Sequence, residues 1–108
     1  MIIGNHPRLI LANRIASSHH ERWDGSGYPL GLKGEQIPVE GRIVIIADQY
    51  DALRNKRSFK PAFDHATAYK ILVDGDGRTL PTHFDPEVLQ LFKKLHGRFE
   101  EIYDRRKD

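Results

Sequence analysis

Apolar positions along the chain fall into four segments with helical spacing, separated by stretches rich in glycine, proline and aspartate. In the first, from about Arg8 to Glu21, Leu11, Ala12, Ile15 and Ala16 share one arc of a helix, with His19 near its middle and His20 at its edge. The second, Arg42 to Arg54, is apolar nearly all round through Ile43, Val44, Ile45, Ile46 and Ala47. Its β-branched start also suits a strand; its length and its Ala52-Leu53 ending favour a helix. An element of this kind is expected at the centre of the molecule and buried. The third segment follows Asp64, a candidate N-cap, runs to about Val73 and stops at Asp74-Gly75-Asp76-Gly77. The fourth opens on Asp85-Pro86-Glu87, with aspartate at the N-cap and proline at the first helical position. Val88, Phe92, Leu95, Phe99 and Ile102 form its apolar stripe, and Arg105-Arg106-Lys107 places cations at the negative pole of the helix dipole. The fold class that follows is all-α, with about four helices.

Between Trp23 and Gly41 no such period holds. Gly25, Gly27, Gly31, Gly34, Pro29 and Pro38 leave little room for a regular element, so this is a long loop. Leu30, Leu32, Ile37 and Val39 recur often enough to pin it against the first two helices, so the loop is expected to be ordered. Asp24 stands just before Gly25-Ser26-Gly27, where its carboxylate can accept their amide hydrogens. Asp51 is a second candidate to cap or brace a loop.

Composition narrows the function classes. The 108 residues suit one small domain or a piece of a larger one, and with 39% hydrophobic and 30% charged residues a modest core is within reach. A formal net charge of +2 is too weak a bias for a DNA-binding surface. The absence of cysteine excludes disulfides and thiolate metal sites and fits a cytoplasmic setting. No apolar run approaches the roughly 18 residues of a membrane span, and the N-terminus has no secretory pattern.

Three features carry candidate chemistry. A single histidine on an apolar face is ordinarily a satisfied core residue, but His19-His20 is a pair at a helix end, directly before a glycine-rich loop. Their side chains leave a helix about 100° apart, so they are expected to serve two neighbouring ions, or one ion and one ligand. Asp48 lies in the apolar second helix, with Val44 and Ala52 one turn away on either side. Buried without a partner, its carboxylate would cost more than the ~2–7 kcal/mol of a neutral polar group, so a salt bridge, a metal or a proton is expected there. The segment Arg54 to Lys60 is basic; it reads either as a solvated charge run or as an anion site in which Arg57 grips a phosphate, Lys60 supplies a point charge and Phe59 a stacking face.

Taken together these residues resemble a known family. His19-His20-Glu21-Arg22-Trp23-Asp24-Gly25-Ser26-Gly27-Tyr28-Pro29 is similar to the HHE-x-x-DG-x-GYP signature of HD-GYP domains, bacterial cyclic-di-GMP phosphodiesterases. Downstream, Gly31 to Pro38, Arg42-Ile43, Ala47-Asp48-Gln49-Tyr50-Asp51-Ala52-Leu53 and Phe84-Asp85-Pro86 continue the likeness. Arg57-Ser58-Phe59-Lys60 resembles the family's R-P-Y-K segment, with Ser and Phe in place of its commoner Pro and Tyr.

The resemblance implies that His19, His20 and Asp48 are metal ligands, and that Tyr28, Arg57 and Lys60 contact cyclic-di-GMP. It implies a binuclear or trinuclear iron or manganese cluster in the complete domain, and a motif loop (Asp24, Gly25, Gly27, Pro29) that docks diguanylate cyclase (GGDEF) domains in some members. It also implies a response-regulator receiver or sensor domain in the full-length protein. The family's His-Asp motif and its nearby lysine have no counterpart in these residues, so no catalytic residue is assigned. The expectation is a partial HD-GYP domain, residues 1–108, carrying the C-terminal portion and inactive by itself, with no metal necessarily bound. A non-catalytic GYP module that docks a cyclase is the alternative, and a hydrolase of another nucleotide a third reading, given the changes at Ser58 and Phe59.

Overall fold

A computed structural model describes residues 7–56 and 61–106. Among these there are four α-helices and no strand, as the pattern predicts: α1 (Pro7–Ser18), α2 (Val39–Arg54), α3 (His65–Asp74) and α4 (Pro86–Arg106), with short 3-10 turns at Gly34–Gln36 and Pro81–His83. The caps of α3 and α4 follow directly from local chemistry. Asp64 accepts the Thr67 amide at 2.8 Å, and Asp85 accepts the Glu87 amide at 2.8 Å while Pro86 opens the helix. Asp85 is buried and paired with Arg42 at 3.4 Å, which ties the start of α4 to the start of α2.

The core lies where α2, α3 and α4 meet. Ile45, Ile46, Tyr50 and Leu53 of α2 pack with Ala68, Ile71 and Leu72 of α3 and with Phe84, Val88, Leu89 and Phe92. Tyr50 meets Phe99 edge-on at 5.5 Å, and Phe92 meets Phe99 edge-on at 5.0 Å. This is the favoured geometry for rings whose edges are positive and faces negative.

Three expectations about burial are corrected. On α4 the buried side is Val88, Leu89 and Phe92, continued by Phe99 and Tyr103, while Leu95 and Ile102 are half exposed. The true contact face lies beside the stripe drawn through Leu95 and Ile102. On α1, Leu11 and Ala16 are exposed rather than packed. On α2 burial is one-sided: Ile45, Ile46, Tyr50 and Leu53 face the core, and Val39, Ile43, Ala47 and Asp48 face outward. Apolar composition all round an element does not require a partner on every side of it.

Helices α1 and α2 meet at a close approach of Ser18 and Gly41. A Cβ on Gly41 would lie 3.0 Å from the Ser18 Cβ and collide with its hydroxyl, which is turned back onto the Arg14 carbonyl. An Arg14–Glu40 ion pair at 2.6 Å joins the same two helices at the surface. No described helix is long and apolar enough to cross a membrane.

Candidate functional site

Helix α1 stops at Ser18, earlier than its apolar arc suggests, and this changes the disposition of the histidine pair. His19 and His20 lie in a turn, and their rings come within 3.9 Å of each other rather than diverging. His19 Nδ1 lies 3.0 Å from the Ile15 carbonyl oxygen. A carbonyl can only accept, so Nδ1 carries a proton, and in the neutral imidazole Nε2 is the nitrogen with the free lone pair. That is the tautomer of a metal-binding imidazole, whose other ring nitrogen characteristically donates to a backbone carbonyl or carboxylate.

The loop folds back on this turn. Tyr28 stacks on His20 with ring centroids 4.7 Å apart, and its amide donates to the His20 carbonyl at 3.1 Å. Gly27 lies on the backbone of residues 20–22: a Cβ there would fall 2.5 Å from the Arg22 nitrogen and 2.7 Å from the Glu21 carbonyl carbon. Of the motif's glycines, this one is excluded from carrying any side chain by contact alone. The Tyr28–Pro29 peptide is cis.

Asp24 acts as expected on Ser26, accepting its amide at 2.9 Å and its hydroxyl at 2.6 Å, and it also reaches Thr82 at 3.3 Å. Burial raises the Asp24 pKa, but the Ser26 hydrogen bonds outweigh it and hold the carboxyl below its usual value. Asp51, the other candidate brace, is exposed; among the described residues its carbonyl accepts the Asn55 amide and side-chain N–H, and no hydrogen bond or ion pair involves its carboxylate.

The main anchor of the loop is a residue that sequence reasoning passed over. Glu21 is completely buried, and its carboxylate accepts the Leu30 amide at 2.8 Å and the Leu32 amide at 2.7 Å. Hydrogen bonds to a charged group contribute about 1.5–3 kcal/mol each. The expected apolar anchoring is mostly absent: Ile37 is fully buried, but Leu30 is 75% and Val39 51% exposed. Further bonds run from Trp23 N–H to the His83 carbonyl and from Gly34 N–H to the Trp23 carbonyl, both 2.9 Å, and from Arg42 Nε–H to the Ile37 carbonyl, 2.8 Å.

A cavity of about 170 Å³ opens beside the pair, lined by His19, His20, Tyr28, Ile45, Gln49 and His83 among others. His83 was also unforeseen. It is buried, takes the Leu80 amide on Nδ1 at 3.3 Å, and so presents Nε2–H toward Asp24 at 3.9 Å. Burial lowers its pKa, the Arg22 charge lowers it further, and Asp24 opposes both.

Asp48 does not line this cavity; Ile45 and Gln49 are the α2 residues that do. Asp48 is exposed, and no ion pair among the described residues involves it, so the desolvation that was to force a partner on it is absent. Arg57 and Lys60 lie outside the described residues, as do Ser58 and Phe59. No group of three His, Cys, Asp or Glu side chains among the described residues is arranged to hold a metal ion. The imidazoles fit a metal by tautomer and proximity, but a closed ligand set would need donors beyond those described.

Residues 1–88 match the HD domain family. A cyclic di-GMP phosphodiesterase of Vibrio cholerae is 45% identical over 106 residues, 98% of this chain and 21% of the relative. The cyclic di-GMP phosphodiesterase response regulator RpfG of Xanthomonas campestris is 41% identical over 103 residues, 94% of this chain and 26% of its own. A 3'3'-cGAMP-specific phosphodiesterase 2 of Vibrio cholerae is 46% identical over 81 residues, 75% of this chain and 15% of its own. The chain thus spans about a quarter or less of the length of these relatives.

Proposed function

Because the chain belongs to the HD domain family and carries the HD-GYP signature, we propose that it forms the C-terminal part of a metal-dependent cyclic-di-GMP phosphodiesterase of bacterial second-messenger signalling. The observation that carries this reading is the turn at His19-His20: one imidazole fixed in the metal-binding tautomer, the other stacked under Tyr28, both beside a polar cavity. His19, His20 and Asp48 would hold iron or manganese together with donors from the rest of a complete domain. A metal held there supplies hydroxide from bound water near neutral pH.

The chain's own residues do the rest. The Ile15 carbonyl holds a His19 proton at Nδ1, so that in the neutral ring Nε2 is the nitrogen left to act as a donor to a metal. Tyr28 offers its exposed ring as a stacking platform for a base of the substrate, and Arg57 and Lys60 neutralise its phosphates. The two names among the relatives, cyclic di-GMP and 3'3'-cGAMP, share a cyclic dinucleotide with two phosphodiesters, so a cyclic dinucleotide is the substrate class and cyclic-di-GMP the member of it proposed here. With no His-Asp dipeptide in its sequence, the segment by itself does not turn substrate over.

The test is a chimera in which this chain replaces the matching stretch of the Vibrio cholerae cyclic di-GMP phosphodiesterase. The expected result is manganese- or iron-dependent hydrolysis of cyclic-di-GMP, abolished by His20→Ala and by Asp48→Ala, with the isolated chain inert. A folded chimera that binds metal but leaves both cyclic-di-GMP and 3'3'-cGAMP intact contradicts the reading.

One observation favours the second reading, an interaction module. Tyr28 is 60% and Leu30 75% exposed at the loop tip, where they offer apolar surface to a diguanylate cyclase domain. Leu30→Asp would then abolish capture of a GGDEF domain while leaving hydrolysis by the chimera intact.

A further inference from the structure

We propose that Glu21 is the positioning residue of this site: its buried carboxylate, clamped on the Leu30 and Leu32 amides, holds the Tyr28 ring against His20. The geometry is direct. Glu21 follows the histidine pair in the chain, so a force on its side chain is delivered to the His20 backbone. It grips the loop at two amides just beyond Tyr28-Pro29, at 2.8 and 2.7 Å, and is itself fully withdrawn from water. Each carboxylate oxygen takes one amide, so both are committed.

On the near side of the same loop the constraint is steric, through Gly27 lying on residues 20–22 and the Tyr28 amide bonded to the His20 carbonyl. Tyr28 is thus bracketed: contact and a backbone bond fix its entry, and Glu21 fixes its exit. Little else holds that exit, because Pro29, Leu30 and Gly31 are exposed and Leu32 is only half buried. An amide side chain cannot replace the carboxylate. Glutamine would accept one backbone N–H and turn a donor toward the other.

This role rests on the proposed function for its meaning, but its test needs neither metal nor nucleotide. In the unmodified chain the stacked Tyr28 ring shifts the His20 ring protons upfield, and Tyr28→Ala abolishes that displacement. Glu21→Gln is expected to abolish it too, while amide shifts around Tyr50 and Phe92 stay in place. Retention of the upfield His20 shift in a folded Glu21→Gln chain overturns the proposal. Should that variant fail to fold, amide exchange in the unmodified chain decides: Leu30 and Leu32 amides protected well beyond Gly31 support it, and unprotected ones overturn it. An inert chimera would remove the phosphodiesterase reading and leave this result standing, and an unmoved His20 signal would do the reverse.

Discussion

The body formed by α2, α3 and α4 and the segment from His19 to Pro38 are held by different forces. In the body, Ile46, Leu72, Phe84 and Phe92 are almost wholly removed from water, and aromatic rings run from Tyr69 through Phe92 and Phe99 to Tyr50. In the histidine segment only Glu21 and Ile37 are buried, and the path of the chain is set by hydrogen bonds to one carboxylate, by Asp24 and by backbone carbonyls. Apolar packing is non-directional and tolerates repacking; hydrogen bonds fix individual atoms. The difference teaches that this protein keeps its bulk stability in one region and its positional accuracy in another. The two are joined by discrete contacts: Arg42 on the Ile37 and Glu35 carbonyls and over the Trp23 ring, Trp23 N–H on the His83 carbonyl, and Asp24 on Thr82.

The widest separation of the two regions is expected from Phe92→Ala. This ring is 1% exposed at the centre of the body, and its loss should destabilise the chain by about 3–5 kcal/mol. Urea unfolding measures it. A loss under about 1 kcal/mol would mean that the body is not the source of stability.

A smaller, local effect is expected from Asp24→Ala, which removes the bonds to Ser26 and Thr82. About 1 kcal/mol of local stability should go, seen as faster amide exchange across residues 25–40 with α3 and α4 unchanged. Equal acceleration in α4 would show that the two regions are a single cooperative unit.

The smallest effect is expected from pH, and it probes a polar network inside the body that links Arg54, Tyr50, His65 and His96. Arg54 donates to the Tyr50 hydroxyl at 2.5 Å, which leaves that hydroxyl to donate to His65 Nδ1 at 2.9 Å and His65 Nε2–H to donate to His96 Nδ1 at 3.0 Å. Burial lowers the His65 pKa; the Glu100 carboxylate opposes this, and His96 and Arg54 add to it. The folded chain therefore binds fewer protons than the unfolded one below the unfolded value of 6.5. Stability is full above pH 6.5 and falls as pH drops from there toward the folded pKa. The urea midpoint should be lower at pH 5.5 than at pH 7.5. His65→Gln should shrink the drop without abolishing it, because His83 is shifted in the same direction. A midpoint that rises on acidification contradicts this sign.

What could be read from sequence follows the same division. The starts of α3 and α4 were legible because Asp64, Asp85 and Pro86 act on amides two or three residues away. The histidine pair and the glycine-rich loop were legible because the motif is contiguous. The place where α1 ends was not, since it depends on Ser18 and His19 turning back to the carbonyls of Arg14 and Ile15 rather than on apolar spacing. Glu21 was not recognised as an anchor because its partners are amides nine and eleven residues away, a separation with no local signal. Asp48 was expected to be buried because the apolar residues around it say nothing about which side of α2 has a neighbour. His83 escaped notice because only folding brings the Pro81–His83 turn beside Asp24.

The claim that the histidine turn is the metal-facing part of the molecule can be tested on the isolated chain by paramagnetic broadening. Manganese(II) is titrated into the protein while the imidazole and backbone signals are followed by NMR. His19, His20 and the Asp48 region should broaden first, ahead of His65, His83 and His96, and the effect should weaken in His20→Ala. Broadening centred on His65 and His96, or broadening at His19 and His20 no stronger than at the surface carboxylates of Asp74 and Asp76, would contradict the account.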